Sequence, residues 1–255
     1  MPITDYITNE MFQVFLTFCR IGSCFMLLPG FGDSYVSPRV RLVFGLVLSL
    51  AISHAAPNLP KMPVTSLGTL VVIFHEIVIG LLIGGIIKII TAAVHIAGSV
   101  IAAQSSLGQA SLFDPSQQSQ GAVFGTFMQM LALVLIFSLD FHHLIISGMV
   151  ISYNVFPPDS PLLWADFSRL AVKTIASSFD IGVRISAPLI VVGVLINLTS
   201  GVLARLMPAF QVFFVIMPLQ ILVSLFIFMA TLSGVMLVYI NYVNDSLGNI
   251  FSIDN

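Results

Sequence analysis

Charge is the first thing this sequence is short of. Its 255 residues include 9 Lys or Arg and 11 Asp or Glu, so 8% are charged, against about 25% in an ordinary soluble domain. Much of any globular surface must be polar, and so few charges cannot cover a water-soluble fold of this size. That scarcity excludes a cytosolic enzyme, a secreted scaffold and a disordered chain. A net charge of −2 leaves no basic patch, so no nucleic acid is expected as a partner. Cysteine is nearly absent as well. Cys19 and Cys24 fall in one apolar segment, where a helix points them in different directions and too far apart to bridge, so both read as inert core residues. There is no Gly-rich phosphate loop, no nucleophile elbow, and no Ser or Cys nucleophile with a base nearby. His75-Glu76 begins like a zinc-protease helix, but the second histidine would have to stand where Ile79 is. An enzyme is not expected, nor any cofactor or metal. The N-terminus shows no basic region and no small-residue cleavage pattern, so a removable signal peptide is not expected either.

What is abundant is apolar side chain: 58% of residues are hydrophobic, and the mean hydropathy is +1.06. This is the composition of an integral membrane protein, with room for about six to eight helical spans and little else. The apolar stretches run over 11–29, 42–56, 67–103, 122–156, 181–206 and 209–243, separated by short polar breaks. Such lengths suit helices, whereas barrel strands would show shorter alternating segments. The expected fold is therefore all-α, with 1–255 as a single membrane domain. The run over 67–103 would extend ~55 Å as one straight helix, longer than a bilayer core, so it must tilt, bend at Gly84-Gly85 or fold back as a hairpin. Pro188, Pro208 and Pro218 each remove a backbone hydrogen bond and invite a kink. Arg39 and Arg41 make the first loop the most basic and favour a cytoplasmic location for it.

Polar residues inside the apolar runs are costly, and their phases are informative. Glu10, Gln13, Thr17, Arg20 and Cys24 recur every three or four residues and line one helical face. Gly84, Lys88, Thr91, His95, Gly98 and Ala102 do the same. Stripes of small and polar residues suit close helix contact, either inside one bundle or against other subunits or a conduit. Gly80-xxx-Gly84 and Gly121-xxx-Gly125 fit either use. Asp140, His142 and His143 form a compact group that reads as an interfacial turn between two apolar segments rather than a metal site, since no fourth ligand is evident. The segment 104–121, QSSLGQASLFDPSQQSQG, is rich in glutamine and serine, carries Asp114 and has no Lys or Arg. Asp114-Pro115 breaks any helix there. Composition alone allows a plain extramembrane loop or a neutral loop occupying a pore.

Several motifs occur in one order along nearly the whole chain. They are Arg20-Ile-Gly22, Pro29-Gly-Phe31-Gly32, Pro38-Arg39-Val-Arg41, Glu76 to Gly80 with Gly84, Ala97-Gly98 through Gln104, Gly108 and Asp114-Pro115, then His142-His143 with Pro157, and Arg205-Leu-Met207-Pro208-Ala-Phe-Gln211. In this order they resemble the FliR family of flagellar type III export-gate subunits, with homologues in virulence injectisomes. The resemblance implies kinked helical hairpins packed into a helical, cone-like export gate in the bacterial inner membrane at the flagellar basal body. It implies FliP and FliQ as partners, FlhA and FlhB alongside, and unfolded flagellar proteins as cargo. The family's central loop closes the channel as a plug. Carried onto this chain, that plug covers 104–121, with Gln104, Gln109, Phe113, Asp114, Pro115, Gln117, Gln118 and Gln120 as pore-facing candidates. Arg20, Glu76, Lys88, His95, Arg184 and Arg205 are then expected in intersubunit or intramembrane polar contacts. Two alternatives stay open: an injectisome subunit, and an ion-coupled transporter using Glu76, Lys88 and the histidines. The second lacks the paired broken segments expected of two symmetric halves.

Overall fold

The computed structural model describes residues 3–33, 36–55, 59–63, 65–106, 122–158, 160, 164–207 and 212–251. Among these residues there are seven helices and no strand: α1 Ile3–Leu27, α2 Pro38–Ala55, α3 Ser66–Gln104, α4 Ala122–Ser138, α5 Phe141–Val155, α6 Trp164–Leu206 and α7 Val212–Phe251. Five of them are long and apolar enough to cross a membrane, and α4 with α5 makes a sixth candidate broken by a 73° bend. The chain divides into two compact units, one of Met1–Ile90, Phe137–Ile175 and Asp245–Asn255, the other of Thr91–Ile136 and Ala176–Asn244.

In the first unit α1 and α2 form a hairpin whose turn is built by its glycines. Gly30 adopts φ 83°, a conformation open to a residue without Cβ, and its N–H donates to Asp33 Oδ2 at 2.9 Å. Gly32 donates its N–H to the Leu28 carbonyl at 2.7 Å, and a Cβ there would fall 2.5 Å from the Met26 carbonyl oxygen. The turn thereby delivers Phe31 into an aromatic cluster, with ring centroids 5.1 Å from Phe25, 5.3 Å from Phe44 and 5.7 Å from Phe137. Arg41 Nη2 ties the turn from α2 by donating to the Asp33 carbonyl at 3.0 Å. The first part of α3 lies directly on α1. A Cβ on Gly80 would strike the Arg20 carbonyl and Ser23 Oγ, and one on Gly84 would sit 2.6 Å from the Cys24 carbonyl oxygen. The small residues of α3 thus serve contact between helices of the same chain here.

The second unit repeats the device with other partners. Gly98 on α3 crosses α4 so closely that a Cβ would strike Gly125 Cα. Gly182 on α6 lets that helix approach α3, where a Cβ would come within 3.0 Å of Ile96 and 3.1 Å of the Ala93 carbonyl oxygen. Phe124 and Phe228 meet edge to face at 5.1 Å, and Ser178 hydrogen-bonds Tyr242 at 2.7 Å.

The structure revises several boundaries. α3 runs unbroken from Ser66 to Gln104, so the hairpin alternative falls. α6 begins at Trp164 and not near 181, because its first turns are amphipathic rather than uniformly apolar: Phe167, Thr174 and Ser178 are buried while Asp166, Arg169 and Lys173 face outward. The stretch 122–156 is two helices, parted where Asp140 takes φ 60°. Pro188 and Pro218 both lie inside continuous helices.

Candidate functional site

Polar groups buried in the first unit converge on Arg20. Its guanidinium is 2% exposed and faces Glu76, fully buried on α3. Nε donates to Glu76 Oε2 at 2.6 Å and Nη2 to Glu76 Oε1 at 2.8 Å, the two-pronged geometry that a planar guanidinium favours. Nη1 donates to Ser152 Oγ at 3.3 Å, and Nη2 also donates to the Phe156 carbonyl at 2.9 Å. The Phe156 carbonyl is available because α5 has ended and Pro157 follows with no N–H to continue it. The end of a helix also carries partial negative charge, which suits a cation. Tyr153 completes the enclosure, its ring centroid 3.8 Å from Arg20 Cζ. α1, α3 and α5 are therefore joined at one point. Within the first unit the two charges face each other out of contact with solvent.

The other candidates from the sequence lie elsewhere. Lys88 and His95 are exposed on α3, although Gly84, Gly98 and Ala102 of the same stripe are buried. The His95 imidazole covers Gly125, where a Cβ would fall 3.2 Å from Nδ1. Arg184 pairs with Asp180 one turn earlier at 2.9 Å on an exposed face of α6. Arg205 is exposed in the last turn of α6, where a cation complements the helix end. Asp140 lies 3.9 Å from His142 Nε2 and 3.6 Å from His143 Nδ1, with Asp140 and His143 open to solvent. Their donor atoms fall within 4.8 Å of one another, but no fourth ligand joins them among the described residues. The group marks the bend between α4 and α5.

Of the pore-facing candidates only Gln104 is described; Gln109, Phe113, Asp114, Pro115, Gln117, Gln118 and Gln120 fall outside the described residues. Gln104 closes α3, and its backbone carbonyl accepts from Gln220 Nε2 at 2.7 Å. Gln220 carried no signal in the sequence beyond being a lone amide in an apolar run. Ser152 and Tyr153 were equally silent, since nothing local marks them as neighbours of residue 20.

Comparison with known proteins adds to this geometry. Bacterial export proteins, family 1, match residues 11–246. The flagellar biosynthetic protein FliR of Caulobacter vibrioides is 37% identical over 232 residues, covering 89% of this chain and 92% of that protein. The protein of the same name from Bacillus subtilis is 30% identical over 236 residues, 91% of each chain. The one from Aquifex aeolicus is 28% identical over 243 residues, 94% of each.

Proposed function

The chain belongs to the bacterial export proteins, family 1, and from that premise we propose that it helps form and close the channel of the flagellar protein export gate. It is a component of the flagellar export apparatus, a multi-pass protein of the inner membrane at the basal body. The carrying observation is the match along 11–246 together with relatives of the same length bearing one flagellar name. Its partners in the gate are FliP and FliQ, with FlhA and FlhB alongside, and unfolded flagellar proteins are the cargo. It does no chemistry of its own. Among the described residues the one buried ion pair, Arg20 with Glu76, is satisfied within the chain, and the work of export is supplied by other parts of the machine.

The central segment closes the channel. Its neutral amides and hydroxyls can pair with exposed backbone without capturing charged cargo. Support comes from the half-buried Gln104, whose carbonyl Gln220 holds, and from the close Gly98–Gly125 crossing. Deleting residues 106–120 should make the assembled complex permeable to ions, read as potassium chloride current across a planar bilayer. An assembled deletion complex that stays as tight as the wild type would sink the plug. Gentle detergent extraction of the tagged chain should bring down FliP-like and FliQ-like subunits; recovery of the chain alone would remove the gate reading.

A further inference from the structure

Asp140 stands immediately before α5 and does not do what an aspartate at a helix start usually does. The residue is favoured there because its carboxylate can accept the first free backbone N–H groups. Here the side chain makes no such bond, and the backbone alone closes the turn. The His143 N–H donates to the Asp140 carbonyl at 3.0 Å, and the Asp140 N–H donates to the Phe137 carbonyl at 3.4 Å. At φ 60° and ψ 18° the carboxylate faces two imidazoles instead. Its Oδ1 lies 3.9 Å from His142 Nε2 and 3.6 Å from His143 Nδ1, both too long for hydrogen bonds. The His142 ring is set by packing, its centroid 5.5 Å from that of Phe137 and 4.2 Å from that of His143. Its Nδ1 is buried, and Nε2 is the nitrogen turned toward Asp140. The side chains of Asp140 and His143 are open to solvent, so an ion arriving from water meets no barrier.

We propose that Asp140, His142 and His143 bind one divalent ion of the zinc class, through one carboxylate oxygen and two imidazole nitrogens, with water completing the shell. Two imidazoles and a carboxylate suit zinc, copper and nickel, whereas calcium and magnesium require oxygen ligands. Around a tetrahedral zinc ~2.0–2.2 Å from its ligands, the donor atoms stand about 3.4 Å apart. The three donors already fall within 4.8 Å of one another, and the two contacts of Asp140 are 3.6 and 3.9 Å. Small rotations of the exposed Asp140 and His143 side chains close that difference. Want of a fourth ligand told against a metal in the sequence, but open zinc sites keep three protein ligands and a water. Without an ion the group is a set of exposed charges at distances that contribute little to stability. With one, the turn at Asp140 is tied to the first turn of α5, which fixes how that helix starts.

The test uses the full chain in detergent, purified through a tag that contains no histidine and treated with a chelator. Zinc chloride titrated by calorimetry should bind one ion per chain, and cobalt chloride should develop the strong visible absorption of a four-coordinate ion. Groups that merely support metal ligands are worth roughly 10–100-fold in affinity, so losing a ligand should weaken binding about tenfold or more. His143→Gln and Asp140→Asn remove one ligand each. Both side chains are largely exposed, and asparagine tolerates φ 60°, so the fold should survive either change. Zinc should raise the unfolding midpoint of the unsubstituted chain and leave that of the two variants where it was. His54→Gln, at an exposed histidine on α2, should bind zinc like the unsubstituted chain. One zinc per chain, weakened in both ligand variants and kept in His54→Gln, is the expected result. Absence of saturable binding, undiminished affinity in either ligand variant, or loss of binding in His54→Gln overturns the site.

Discussion

Arg20 shows what a single residue does here and how much of that could be read in advance. Its place on a polar stripe of α1 was visible from spacing alone, and so was Glu76 inside an apolar run. Their meeting was not, because 56 positions separate them and nothing local links either to Ser152 or Phe156. Pairing of this kind is a property of the fold. It also fixes the response to substitution. Removing one partner of a buried ion pair leaves the other charge unsolvated, so Glu76→Ala or Arg20→Ala should cost ~3–5 kcal/mol. Arg20→Met combined with Glu76→Leu should cost less than either single change, since an apolar pair leaves no charge stranded. Thermal unfolding of the detergent-solubilised chain reads this directly; a double variant as damaged as the sum of two single ones would show that the pair is not the unit. Arg20→Lys should behave as a loss, because an ammonium cannot reach both Glu76 oxygens, Ser152 and the Phe156 carbonyl at once.

At the scale of helices, the small-residue spacings were legible as contact signals, but the surface each would meet was not. Gly80 and Gly84 turn out to meet α1, and Gly98 meets Gly125 on α4. The register of a crossing depends on both helices, and spacing in one sequence segment describes only its own side. The start of α6 was hidden for another reason: Asp166, Arg169 and Lys173 interrupt the apolar run, although the buried Phe167, Thr174 and Ser178 keep helical phase. The glycines give a graded prediction. Gly98→Ala adds a methyl against the backbone of Gly125, which cannot move aside as a side chain would, and should cost ~1–3 kcal/mol. Gly201→Ala places its methyl where nothing lies within 4 Å, and should instead stabilise the isolated chain by ~0.5–1 kcal/mol through helix propensity. Unfolding midpoints of the two variants should move in opposite directions. Equal shifts would mean that the α3–α4 crossing is looser than its geometry.

For the whole molecule, the low charge that first pointed to a membrane turns out to overstate how much lipid the chain can touch. α6 has 43 residues, or ~65 Å of helix, and at a steep tilt of about 40° it still spans ~50 Å, well beyond a hydrocarbon core of ~30 Å. Its most apolar window is only 11% buried within the chain, and it also displays the exposed Asp180–Arg184 pair. Lipid cannot cover all of that length and water would leave Val191, Leu195 and Leu198 bare, so the expectation is that neighbouring subunits cover part of this face. α2 differs: its 18 residues make ~27 Å, a match to the bilayer core, and it buries Gly45, Ser49 and Ile52 while turning Val43 and Val47 outward. The two helices should therefore respond differently to assembly. Val191→Cys and Leu198→Cys on α6 should react with a membrane-permeant maleimide when the chain is extracted alone and lose most of that reactivity in the co-purified complex. Val47→Cys on α2 should react in both. Native Cys24 is buried and Cys19 half-buried, so their background is low and can be subtracted from the unsubstituted chain. If both α6 positions stay fully reactive after assembly, the apolar surface of α6 faces lipid despite its length, and the helix must then lie far more steeply tilted than helices that cross bilayers do.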